Sequence, residues 1–130
     1  MTRPFDIVDP QELWEQTVSE AVFQTRVIHL AHENQFETYH HTTTGGKCRQ
    51  CGARVSGGRI VTSKGFPDLV LGRQDPSRLI YAELKSQNGR VSPDQVKWRR
   101  ILEACGQEYY LWRPSNWEEI ERVLEGRDGR

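Results

Sequence analysis

The sequence predicts an α/β fold, a small mixed sheet flanked by helices, on three observations. Two strand-like runs, 66–73 and 79–86, are joined by Gln74-Asp75-Pro76-Ser77-Arg78, which has hairpin-loop chemistry. Ser92-Pro93-Asp94-Gln95 then opens a helix with a capping box and a proline at its first position. A further strand-like run, 108–112, follows that helix. The hairpin therefore supplies antiparallel pairing, and the helical crossover permits a parallel pair.

Each element has its own signal. Asp9-Pro10-Gln11-Glu12 predicts a short first helix, with an acid as cap and proline just inside. A second helix covers about 19–34, where Phe23, Val27, Leu30 and Ala31 line one apolar stripe. Glu20 lies on or beside that stripe, so it either snorkels from the first turn, favoured by the helix dipole, or faces inward. Residues 36–41 read as a short strand. Residues 42–65 form a long Gly/Thr/Lys/Arg-rich loop with a brief strand at 59–62, and loops of that length are usually functional or disordered. In the helix after Ser92, the stripe is Trp98, Ile101, Leu102 and Cys105, and Gly106 ends it. Ser115-Asn116-Trp117-Glu118 predicts another capping box and a last helix with Trp117, Ile120 and Leu124 inward. The tail, 126–130, is expected to fray.

The chain has 130 residues, 35% of them hydrophobic, which suits one domain. At that size folding buries roughly two thirds of the unfolded surface, so a core forms without staples. Three cysteines, an odd number, are no disulfide framework, and no charged and apolar leader is evident at the start. A reducing, cytoplasmic setting is expected. No run approaches the ~20 apolar residues of a membrane helix, so no membrane partner is expected.

Net charge is zero, with 18 basic and 18 acidic side chains, but the total hides the distribution. Residues 1–41 hold two basic and seven acidic groups, 42–100 twelve and four, and 101–130 four and seven. The middle is strongly basic. A solvated surface can be patchy by chance, so chemistry has to decide.

Pro67-Asp68 opens one strand of the hairpin, and Glu83-Leu84-Lys85 closes the other. Side chains alternate along a strand, so Glu83 and Lys85 point one way while Ile80, Ala82 and Leu84 face the core. Antiparallel pairing around a short loop brings Asp68 near Glu83. Two adjacent carboxylates repel unless something compensates, and a divalent cation such as Mg²⁺ or Mn²⁺ does so with hard oxygen ligands. Such an ion would polarise a phosphodiester and activate water, with Lys85 beside it. The plain alternative is a salt bridge between Lys85 and an acid on a solvated strand.

Gly65-Phe66-Pro67-Asp68-Leu69-Val70, followed by Glu83-Leu84-Lys85-Ser86, resembles the signature of the PD-(D/E)XK nuclease superfamily. Gly89-Arg90-Val91-Ser92-Pro93-Asp94-Gln95, then Trp98, Leu102 and Gly106, is similar to the VRR-NUC family, the virus-type replication and repair nucleases. The resemblance covers roughly 19–124. It implies a restriction-endonuclease-like core of order αβββαβ in a nuclease domain over 19–125, preceded by an N-terminal extension with a short helix over 1–18. It also implies metal-dependent DNA cleavage: Asp68, Glu83 and the Leu84 carbonyl as metal ligands, with Glu20, the family's acid on the first helix, as a further ligand, and Lys85 as the catalytic lysine. Gln95 matches a glutamine placed near the lysine or the phosphate, a role compatible with capping Ser92. Gln24, one turn from Glu20, is a weaker candidate.

The loop departs from the family's plain pattern. Cys48-Arg49-Gln50-Cys51-Gly52 has the turn chemistry of half a zinc site, and one or both of His40 and His41 would have to complete it. Two free thiols are the alternative, and Cys105, on an apolar stripe, is expected in the core. Lys47, Arg49, Arg54, Arg59 and Lys64 suit a loop that grips the phosphate backbone, and Lys97, Arg99 and Arg100 would extend that surface. No base-reading element is evident.

The sequence thus points to a divalent-metal-dependent, structure-selective DNA endonuclease. By analogy with stand-alone members of the resembled family, it would act on four-way junctions as a homodimer, as a phage-type enzyme in the host cytoplasm. Trp14, Trp112 and Trp117 are surface candidates for that dimer or parts of the core. The alternatives are a non-catalytic zinc-knuckle nucleic-acid-binding module, an RNase, and a nickase without junction preference.

Overall fold

The computed structural model describes residues 8–40, 55–56, 59–60 and 64–130, the two dipeptides by their backbone alone. Helix α1, Pro10–Thr17, starts where Asp9 accepts a hydrogen bond from the Gln11 amide and proline needs no donor. Helix α2, Glu20–Glu33, is capped by Ser19, whose hydroxyl accepts from Val22 N. Its buried face is Phe23, Val27 and Ala31, at the helical spacing expected, while Leu30 is half-buried. Burial of side chains like Phe23 and Val27 contributes about 1.5–3 kcal/mol each, which exceeds what helix propensity alone supplies.

Strand β1, Glu37–His40, follows, then the two-residue strands β2, Val55–Ser56, and β3, Arg59–Ile60, which pair antiparallel with each other. Strands β4, Leu69–Arg73, and β5, Arg78–Leu84, form the predicted hairpin, and α3, Pro93–Ala104, carries the chain over to β6, Glu108–Trp112. A 3₁₀ turn, Pro114–Asn116, leads into α4, Trp117–Leu124. The main sheet has the order β1-β4-β5-β6; β1/β4 and β4/β5 are antiparallel and β5/β6 parallel. This is the mixed sheet that hairpin plus crossover requires, consistent with a restriction-endonuclease-like core.

One face of the sheet packs on α2 and α4. Leu69, Leu71, Ile80, Ala82, Leu84 and Trp112 are fully buried there with Phe23, Val27, Ile120 and Leu124. The alternate residues of β4 and β5 face α3, where Phe66 meets Tyr81 and Trp98 edge-on, at 6.0 and 5.1 Å between ring centres.

Four expectations are corrected. Cys105 is exposed, because α3 ends at Ala104 and the cysteine is its cap, one residue beyond the last helical position; Ile101 is exposed too. Ser115 does not cap α4. The 3₁₀ turn shifts the start, so Asn116 Oδ1 accepts from Arg113 N at 2.8 Å, and the Ser115 hydroxyl accepts from Gln87 Nε2 at 3.0 Å. The tail is tied down, since Asp128 and Glu108 both pair with Arg78 at 2.6 Å. Of the three tryptophans read as dimer surface or core, Trp112 is fully buried and belongs to the core. Trp14 and Trp117 hold the Arg26 guanidinium between them, 4.7 and 4.6 Å from their ring centres, which ties α1 to α2 and α4.

Candidate active site

The end of the hairpin away from its turn gathers the candidate residues. Leu69 pairs with Ala82, so Asp68 and Glu83 fall opposite each other one step further, on the α3 side of the sheet. Asp68 Oδ2 accepts a hydrogen bond from the Leu84 amide at 3.0 Å, which fixes the carboxylate at the sheet end. Glu83 is 1% exposed and is the buried charged side chain among the described residues. Its Oε1 accepts from Gln95 Nε2 at 2.6 Å and lies 3.8 Å from Lys85 Nζ. Its Oε2 is buried with no hydrogen-bond partner among the described groups.

That environment opposes ionisation. Burial pushes Glu83 up to about 8, the charge of Asp68 and a proton shared with its carboxylate add to the effect, Lys85 offsets part of it, and Glu20 contributes a further push. Tyr109, on the neighbouring strand, is pushed up to about 12 by burial and by the charges of Glu83 and Asp68.

Two further contacts hold the frame. Gly65 has φ +83°, and a β-carbon there would lie 2.3 Å from the Asp94 carbonyl carbon, so only glycine lets this backbone reach the first turn of α3. The segment that delivers Asp68 is thereby pressed against the turn that delivers Gln95. Beyond Lys85, Arg113 Nη1 donates to the carbonyls of Ser86 at 2.8 Å and Gln87 at 3.2 Å, and Gln87 Oε1 accepts from Ser115 N at 3.1 Å. Sequence reasoning missed Arg113, since 27 residues separate it from Ser86 and no local pattern marks the pair.

Other candidates sit differently. Glu20 is the first residue of α2 and is exposed; its inward reading survives only as charge that reaches Glu83. Gln24, one turn on, has its Nε2 2.7 Å from Nε2 of His40, which is exposed at the end of β1. Lys64, Lys97 and Arg100 are exposed. Arg99 pairs with Glu103 at 2.7 Å and lies 5.4 Å from the Tyr109 ring centre. His41, Lys47, Cys48, Arg49, Cys51 and Arg54 lie outside the described residues, as does the Arg59 side chain.

The donor set fits a divalent cation. Two carboxylates converge, and one oxygen of Glu83 is buried without a partner, which is where positive charge would relieve the cost of ionisation. Among the described residues no three or more His, Cys, Asp or Glu side chains gather as a closed metal cage. The arrangement is a carboxylate pair, and a hard cation held by so few protein ligands keeps several waters.

The model of the VRR-NUC domain matches residues 9–116, most of the chain. The chain belongs to the VRR-NUC domain family. This VRR-NUC domain is accordingly a nuclease of the PD-(D/E)XK type, a hydrolase that binds DNA. The match takes in α1 and ends at the 3₁₀ turn. No curated protein and no solved structure matched the chain in the corresponding searches. No helix among the described residues is long and apolar enough to cross a membrane.

Proposed function

We propose that this VRR-NUC domain is a divalent-metal-dependent, structure-selective DNA endonuclease with Asp68, Glu83 and Lys85 at its centre. The observation that carries the proposal is Glu83: a buried carboxylate set against a second acid, Asp68, with the Lys85 ammonium 3.8 Å away. A fold retains so costly a group where it has work to do.

Asp68, Glu83 and the Leu84 carbonyl would hold the ion, Mg²⁺ or Mn²⁺, with Glu20 adding charge at the rim. Bound there, the ion supplies Lewis acidity at the scissile phosphate. Lys85, 14% exposed, brings a positive charge to the phosphate as negative charge develops on it, and orients the attacking water. Gln95 holds one oxygen of Glu83 so that the other stays available. Lys64, Lys97 and Arg100, with the basic residues of the loop, contact the phosphate backbone.

The preferred substrate is branched DNA, with four-way junctions cut by a homodimer, as in a phage-type enzyme working in the host cytoplasm. A structural zinc on Cys48 and Cys51, with one or both of His40 and His41, is a separate element of the proposal. Gln24 beside His40 would orient that ring.

The test is cleavage of junction, flap and linear duplex DNA with Mg²⁺ or Mn²⁺. Asp68→Ala, Glu83→Ala and Lys85→Ala should each lower the rate by about 10²- to 10³-fold or more, while binding in EDTA is retained. Intact substrates with wild-type protein, or wild-type rates from Asp68→Ala, would sink the proposal. Sedimentation reads the dimer, and mass spectrometry under non-denaturing conditions reads the zinc.

A further inference from the structure

We infer that Tyr39 is a stacking platform for an unpaired nucleobase next to the bond that is cut. The inference rests on the nuclease centre proposed above and adds to it the substrate feature that the centre selects.

Register puts the ring beside the carboxylates. Tyr39 pairs with Val70, Val70 with Tyr81, and Tyr81 with Tyr109, so these four side chains stand in one row on one face of the sheet. Asp68 is two residues before Val70 and Glu83 two after Tyr81, so the carboxylate pair is the next row on that same face. Tyr39 lies about 7 Å along the strand and about 5 Å across from Asp68 by strand geometry. A nucleotide adjoining a phosphate held at the carboxylates comes within reach of it.

The two tyrosines at the other end of the row carry neighbours over their rings, and Tyr39 is exposed. Phe66 and, through it, Trp98 roof Tyr81, and Arg99 lies over Tyr109. Tyr39 is 62% exposed, the most of any large hydrophobic side chain among the described residues. Beside it, Gly72 has no side chain and Leu79 is itself exposed, so among the described residues the outer half of this face is open, with the exposed Glu37, across from Gly72, at its far edge. Helix α3 packs on the β6 side of this face.

The occupant follows from what borders this open half. One side is the carboxylate pair that meets the substrate backbone. Lys64, exposed, precedes the glycine that abuts α3. A group that arrives with a phosphate backbone, and is flat and apolar on its face but polar at its edge, is a nucleobase. In a duplex the bases are already stacked on one another, whereas an unpaired base at a branch or flap gains a partner in Tyr39. Stacking of this kind changes affinity by about 5- to 150-fold per base.

The experiment compares wild type, Tyr39→Ala, Tyr39→Phe and Tyr39→Leu on a flap oligonucleotide and on a fully paired duplex of the same sequence, with Mn²⁺. Tyr39→Ala should lose about tenfold or more in kcat/KM on the flap and stay near wild type on the duplex. Tyr39→Phe should restore flap cleavage and Tyr39→Leu should not, because the ring face acts rather than apolar bulk. With 2-aminopurine beside the scissile phosphate, binding in EDTA should quench fluorescence for wild type and Tyr39→Phe and not for Tyr39→Ala. Equal losses on both substrates, rescue by leucine, or unaltered flap cleavage by Tyr39→Ala would overturn the inference and leave the nuclease centre standing. Wild-type protein that cuts neither substrate would remove the centre, and the stacking role with it.

Discussion

Gln95 donates from Nε2 to Oε1 of Glu83 at 2.6 Å while its own Oε1 accepts the Ser92 amide at 2.9 Å. One amide side chain therefore closes the capping box of α3 and holds the buried acid, and the cap leaves it little freedom to turn away. The start of the helix and the centre of the site are a single hydrogen-bonded unit.

The unit can be divided by substitution. Ser92→Ala removes the hydroxyl that accepts from Gln95 N and should cost about 1 kcal/mol of stability, with the Glu83 contact intact. Gln95→Ala should cost about as much or slightly more, and in addition reduce cleavage by roughly 10- to 100-fold, as expected for a group that orients a ligand. Urea denaturation and single-turnover cleavage of both variants check this. Equal activity of the two variants would mean that Gln95 acts only as a cap.

Glu83 is costly to bury, so its neutral isostere should stabilise the metal-free protein. Burial holds its pKa near 8 against an ordinary 4.5, and an acid raised on folding subtracts stability as pH climbs from the unfolded value through the folded one. Glu83→Gln removes that loss, keeps an oxygen for Gln95, and offers a donor toward Asp68. In EDTA at pH 8 its Tm should exceed that of wild type by several degrees, whereas Mn²⁺ should raise the Tm of wild type alone. Thermal denaturation with and without Mn²⁺ checks both halves.

Local patterns were legible where one element decided the outcome. Alternation along β5 put Ile80, Ala82 and Leu84 in the core and Glu83 on the other face, and the box at Ser92 formed as its residues require. The failures arose where a neighbour changed the local frame. Cys105 keeps the stripe's spacing, but the helix stops one residue earlier; Ser115 has a capping pattern, but a 3₁₀ turn precedes α4 and Gln87 claims its hydroxyl. Long-range ties were beyond a linear reading. Arg78 reaches partners 30 and 50 residues away, and Gly65 is required by a helix nearly thirty residues later in the chain.

The Arg78 cluster sets the response to acid. Burial works against the charge on Glu108, but hydrogen bonds from Arg78 and Tyr110 outweigh it, and Arg78 holds Asp128 low as well. Acids lowered on folding supply stability that is complete above their ordinary values of 4.5 and 3.8 and is lost as pH falls through the folded ones. Arg78→Met strands two partly buried acids and should cost about 3–5 kcal/mol at pH 7, with a smaller loss at pH 3 where the acids are neutral. Asp128→Asn, which keeps the tail but not its charge, should flatten the acid limb of the stability profile with a milder effect at pH 7. Urea midpoints between pH 3 and 7 separate the two.

Gly65→Ala tests how tightly the site depends on one close approach. The added β-carbon meets backbone rather than a flexible side chain, at 2.3 Å from the Asp94 carbonyl carbon and 2.6 Å from the Gln95 nitrogen, and φ +83° strains any L-residue. Relief requires the 64–68 segment and the first turn of α3 to move apart. Asp68 moves with the first and Gln95 with the second, so the spacing of the carboxylate pair changes along with stability. The variant should lose about 2 kcal/mol or more, and cleavage should fall by more than the folded fraction explains. Raising Mn²⁺ should recover part of the activity, because a displaced ligand weakens the hold on the ion before it abolishes it. A Gly65→Ala protein as stable and active as wild type would show that the contact between the two segments yields without disturbing the site.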